Sequence, residues 1–98
     1  MTTDELYQAF EKYNDEYLEG IEDGRPKYSE RRDLHAFMLL DKLVPGKADM
    51  VSGGEHDEIY LEVSPDELAP VVTEEQVHDL VRCGVRYSER YSSLAMFV

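Results

Sequence analysis

A chain of 98 residues has room for one domain with a single modest core, and its 42% hydrophobic content suits a globular rather than a disordered chain. No run approaches the roughly 18 apolar residues of a membrane span. The lone Cys83 excludes an internal disulfide, and the acidic start Met1–Glu5 lacks the basic and apolar regions of a secretory signal, so a cytoplasmic setting is expected.

Twenty-two acids against ten bases leave a net charge of −12, and the excess falls in blocks. Residues 1–24 carry eight acids and one base, and residues 48–80 carry ten acids and no base. The intervening stretch and the last 18 residues are mildly basic. A field of this sign repels nucleic acid and anionic membranes and attracts basic surfaces. Direct nucleic-acid binding would need a basic footprint that the sequence lacks.

In chain order, Thr2 and Glu5 have capping-box spacing and open a first helix. Leu6, Phe10, Tyr13, Tyr17 and Ile21 recur at three- and four-residue steps, which predicts one apolar face continuing to Gly20 or Gly24. The opposite side would carry Glu11, Asp15, Glu19 and Glu22 as an acidic stripe. Ser29 is the expected N-cap of a second helix running to about Val44. If the two helices form an antiparallel hairpin, Glu19, Glu22 and Asp23 lie across the loop from Arg31 and Arg32 and pair with them.

Residues 47–57 read as a loop containing Gly53-Gly54. The stretch Glu58–Val63 has the period-two alternation of a strand, with Ile59, Leu61 and Val63 on one face and Glu58, Tyr60 and Glu62 on the other. Ser64-Pro65-Asp66-Glu67 predicts a short helix through Leu68-Ala69. Thr73–Gln76 opens another, with Val77, Leu80 and Val81 inward and Gly84 ending it. Val85–Tyr87 and Leu94–Val98 read as a closing hairpin. The uniformly apolar Leu94–Val98 fits burial on both faces, so it is expected to be central in the sheet or covered by a second copy in a homodimer.

These elements predict a single α+β domain over residues 1–98, with two N-terminal helices packed on a three-stranded antiparallel sheet. The second half has the strand-helix-helix-strand-strand order that resembles a winged helix. Glu74, Glu75 and Asp79 on the would-be recognition helix would repel phosphates, so DNA reading is not expected.

Few residues suggest chemistry. Glu55-His56-Asp57-Glu58 is the densest group of potential ligands, but neighbouring strand residues point to opposite faces, and a solvated loop is the plainer reading. Cys83 lies at a helix C-terminus, where the dipole disfavours a thiolate, so it reads as a buried structural thiol. His78 and Cys83 lack the spacing of a zinc motif, and His35 reads as a packed histidine. Seven tyrosines without a tryptophan suit either an interface or the margins of a small core.

Met50–Ile59, Leu80–Val85 and Leu94–Val98 together resemble segments of small acidic accessory proteins encoded by bacteriophages, over roughly residues 33–98. The resemblance implies no activity and no functional residues. As a class, such proteins resemble inhibitors that place carboxylates where phosphates would lie. The sequence therefore leads to the expectation of a non-enzymatic protein without cofactor or metal, binding a basic, nucleic-acid-binding surface of a partner through Glu11, Asp15, Glu19, Glu22, Glu58, Tyr60 and Glu62. The alternatives are a small metal-dependent enzyme using Glu55–Glu58 and a structural component of a virion.

Overall fold

The computed structural model describes residues 1–97 and is α+β, with helices against one face of a four-stranded antiparallel sheet. Helix α1 spans Thr3–Lys12. Its capping box forms as the spacing predicts, with the Glu5 amide donating to Thr2 Oγ1 at 3.1 Å and the Thr2 amide to Glu5 Oε1 at 2.8 Å. Leu6, Ala9 and Phe10 are its buried face.

The helix stops well before Gly20. Tyr13 is its C-cap, a 3₁₀ turn follows at Asn14–Glu16, and residues 17–31 run on as an irregular strap. Asn14 and Asp15 are residues that favour caps and turns over helix interiors, and Glu11 and Asp15 would repel each other at i,i+4. The strap also answers a need elsewhere. The Leu18 amide donates to Val81 O at 3.2 Å and the Gly20 amide to Arg82 O at 2.9 Å, satisfying last-turn carbonyls that a helix leaves open. Tyr13, Tyr17 and Ile21 still pack against the core, but from a turn and a strap rather than from one helix face.

Helix α2, Arg32–Leu43, starts later than Ser29 because Ser29 Oγ accepts from the Arg31 amide at 3.1 Å, closing a turn ahead of the helix. It buries His35, Ala36, Leu39 and Leu40. Helices α1 and α2 do not form the expected hairpin; each packs on the later helix α4, Glu74–Arg82. The short helix α3, Pro65–Leu68, and α4 carry the capping boxes predicted at Ser64 and Glu67 and at Thr73 and Gln76. Val77, Leu80 and Val81 point inward, as does Asp79.

The sheet has one strand more than expected. Strand β1, Val51–Glu55, lies in the supposed loop and pairs with β2, Glu58–Leu61, across a two-residue turn at His56-Asp57. Every residue of β1 is exposed, and Ser52-Gly53-Gly54 has neither strand propensity nor apolar alternation. The remaining strands are β3, Arg86–Ser88, and β4, Ser93–Phe97, and the order is β1-β2-β4-β3. Strand β4 is thus central, as its composition predicts, with Leu94, Ala95 and Met96 buried. Phe97 departs from that expectation at 56% exposure, and Val98 lies outside the described residues.

Pairing fixes the faces. Ile59 opposite Met96 and Tyr87 opposite Leu94 face the helices, with Leu61, Leu68, Leu80 and Leu40 around them. Glu58 opposite Phe97, and Tyr60 and Arg86 both opposite Ala95, share the other face. Among the described residues no helix is long and apolar enough to cross a membrane.

Candidate functional site on the open face of the sheet

The face turned away from the helices is floored by β2, β4 and β3 and rimmed by the two hairpin turns, His56-Asp57 and Glu89–Ser92. Between the rims lies an open cleft of about 700 Å³. Its floor holds one cation already. Arg86 forms an ion pair with Glu58, whose side chain is 13% exposed, and its guanidinium stands 4.6 Å from the Phe97 ring centroid. A guanidinium held between a carboxylate and an aromatic face combines charge pairing with a cation–π contact. The Arg86 Nε is buried without a partner among the described residues, so the ion pair with Glu58 does not use the whole fork.

Beside this arrangement stand a second aromatic pair and further acids. Tyr60 and Tyr91 meet edge to face at 5.2 Å, and Tyr91 Oη donates to Glu55 Oε2 at 3.3 Å. Burial, followed by the neighbouring Tyr91 and Glu55, holds the Tyr60 hydroxyl above its ordinary pKa. Glu55, Asp57 and Glu89 line the cleft with no Lys or Arg partner, although Glu89 accepts from Tyr7 Oη at 3.0 Å. Arg90 lies 5.1 Å from the Tyr91 centroid and has no carboxylate partner among the described residues. The chemistry on offer is hydrogen-bond acceptance and aromatic surface for a cationic group.

The residues singled out in the sequence fall into two sets. Glu11, Asp15 and Glu62 are exposed and face no Lys or Arg. Glu62 lies just beyond the end of β2, its amide donating to Met50 O at 2.7 Å. Glu19, Glu22 and Glu58 are engaged inside the molecule, and Tyr60 is half-buried in the cleft. The continuous stripe from Glu11 to Glu22 does not exist, because the helix ends at Lys12.

Glu19 and Glu22 do not meet Arg31 and Arg32. They join Glu16 around Arg82 of α4, whose Nη1 lies 2.5 Å from Glu16, 3.4 Å from Glu19 and 3.9 Å from Glu22. His78 Nε2 is 2.9 Å from the same Glu16 oxygen and its ring stacks on Tyr13 at 4.1 Å. The His78 bond and then Arg82 hold the Glu16 carboxyl below the usual range. Arg32 donates instead to Leu18 O.

Glu16, Glu22 and His78 bring three ligand atoms within 4.8 Å of one another, the one such grouping among the described residues. Arg82 already supplies the positive charge there, so the group is read as a clamp joining the strap to α4. Substituting Arg82→Met is expected to cost about 1–2 kcal/mol, since it leaves the half-buried Glu16 carboxylate without its guanidinium and beside the exposed Glu19 and Glu22. Urea melts check this. Adding Glu19→Gln and Glu22→Gln to Arg82→Met should recover part of the loss, the coupling expected of one network.

The Glu55–Glu58 run does not form a comparable grouping. His56 sits at the exposed hairpin turn with φ +56°, 3.7 Å from Glu55, while Glu58 turns to Arg86. Cys83 is buried, and burial pushes its thiol up to about 11, away from nucleophilic use. A pair that spacing did not reveal is Asp79, 6% exposed, with Arg25 Nη2 at 2.6 Å. Nothing in two residues 54 positions apart announces it.

No protein-family model matches the chain, and no curated protein or solved structure matches it.

Proposed function

We propose that this chain is a non-enzymatic acidic interaction protein that occupies a basic, normally nucleic-acid-binding surface of a partner protein in the cytoplasm, as an inhibitor or modulator. The observation carrying the reading is what remains after internal pairing. Among the described residues six of the ten bases face nine of the 22 carboxylates, and thirteen carboxylates face no Lys or Arg. Glu11, Asp15 and Glu62 belong to that remainder, and so do Glu55, Asp57 and Glu89 around the cleft. A cleft that already holds its own Arg86 between a carboxylate and an aromatic ring offers further carboxylates and Tyr60 to a basic side chain of the partner. Glu19, Glu22 and Glu58 would act mainly through the field they contribute, since each already has one oxygen facing Arg82 or Arg86. The phage resemblance agrees with this reading at the level of class.

The test is calorimetric titration with an arginine-rich peptide at low ionic strength. The proposal expects binding that weakens steeply with salt. Replacing Glu55, Asp57 and Glu89 by their amides is expected to weaken it about tenfold, taking each exposed pair as worth roughly 0.5 kcal/mol. No heat at low salt, or affinity indifferent to salt, overturns it.

A further inference from the structure

His35 has no part in the cleft, yet it is the most enclosed ionisable ring in the chain. It lies on α2 with 2% of its surface exposed. Its Nδ1 accepts the Tyr28 backbone N–H at 3.1 Å, and the Tyr28 ring stacks on the imidazole at 5.5 Å. Its Nε2 is buried with no partner among the described residues.

These contacts fix the tautomer. An Nδ1 that accepts a hydrogen bond has no proton, so in the neutral ring the proton is on Nε2. A second proton taken from solvent can then go only to Nδ1. That converts the acceptor into a donor aimed at the Tyr28 N–H, and it places a charge in a site where Nε2–H has no acceptor. The hydrogen bond from the strap cannot survive protonation.

The surroundings do not offset this charge. On the strap, Lys27 opposes protonation. From α4, Asp79 favours it, but the Asp79 carboxylate is held by Arg25, which also contacts Glu75. On α2 itself, Arg31 and Arg32 precede His35 by one helical turn. Burial is the largest influence and favours the neutral ring.

We propose that His35 is an acid-sensitive latch, and that its protonation detaches the Lys27–Arg31 part of the strap from α2. The stretch is otherwise held by Lys42 of α2, whose Nζ stands 5.4 Å from the Tyr28 ring centroid, and just ahead of it by Arg25, through Asp79 and Glu75, so its release is local and leaves the core in place. The sign follows from the lowered folded pKa. The latch contributes fully above the unfolded value near ~6.5 and weakens progressively as pH falls from there toward the folded value.

Amide exchange at Tyr28, corrected for the intrinsic rate at each pH, together with ¹⁵N shifts of the imidazole, tests this on the intact chain. Protection at Tyr28 is expected to fall by up to about tenfold per pH unit below ~6.5, until the folded His35 itself titrates, while core amides of α4 stay protected. The shifts are expected to show the Nε2–H tautomer. His35→Asn, which keeps an acceptor near the Nδ1 position without titrating, should make Tyr28 protection independent of pH. An Nδ1–H tautomer, or Tyr28 protection that survives His35 protonation in the wild type, overturns the proposal whether or not the variant folds.

Discussion

Truncation after Leu94 is expected to abolish the cooperative melt rather than loosen a tail. Strand β4 lies between β2 and β3 in the sheet: Met96 pairs with Ile59, and Ala95 lies between Tyr60 and Arg86. Removing residues 95–98 strips the ladder that Ala95, Met96 and Phe97 make with both neighbours and empties the positions of the buried Ala95 and Met96. Loss of a buried Met side chain alone costs about 2–5 kcal/mol. With the unpaired backbone groups left on β2 and β3, the sum reaches the roughly 5–15 kcal/mol that holds a domain of this kind together. Circular dichroism melts check it, and a truncated chain with a sharp transition near that of the full chain would refute it.

Gly84→Ala is expected to have the largest effect of any substitution at a turn. Gly84 follows the α4 C-cap with φ +98°, and its amide donates to Val81 O at 3.0 Å. A Cβ built there would lie 2.7 Å from Leu18 Cδ2, so the strap residue must move. The backbone conformation costs about 1–2 kcal/mol for an L side chain, and displacing Leu18 adds to it. A total of about 2–3 kcal/mol corresponds to a Tm roughly 10–20 °C lower for a domain of this size. Gly46, with φ +92° and open space around its Cβ position, serves as the comparison. Gly46→Ala should show the conformational cost alone, and equal losses at the two glycines would mean that the contact with Leu18 contributes nothing.

What could be read from the sequence was local. Three capping boxes were legible because each is written within four residues: Thr2 with Glu5, Ser64 with Glu67 and Thr73 with Gln76. The alternation in Glu58–Leu61 and the apolar run at Leu94 revealed the sheet's centre, because burial on one or two faces leaves a pattern. Strand β1 left none: its five residues are exposed and two are glycines, so only its partner β2 makes it a strand. The strap was hidden by an ambiguity of period. Tyr13, Tyr17 and Ile21 continue the three- and four-residue spacing of Leu6 and Phe10, and a chain crossing a core can satisfy the same spacing without remaining helical.

The candidate site was legible in part. Glu58 and Tyr60 share the open face because the pleat dictates it. That Glu58 would be consumed by Arg86, and Glu19 and Glu22 by Arg82, depended on tertiary contacts across 28 to 63 positions of sequence. Charge composition stated how much acid the chain carries; the fold decided which carboxylates are left over.

The most direct measurement of the central claim is retention of partners from a lysate on the immobilised chain, at rising salt and in the presence of duplex DNA. The proposal predicts that the retained partners are basic nucleic-acid-binding proteins, that they elute as salt rises, and that DNA displaces them at constant salt by competing for the same surface. Partners that remain bound at high salt, or that bind this chain and DNA together, would contradict it.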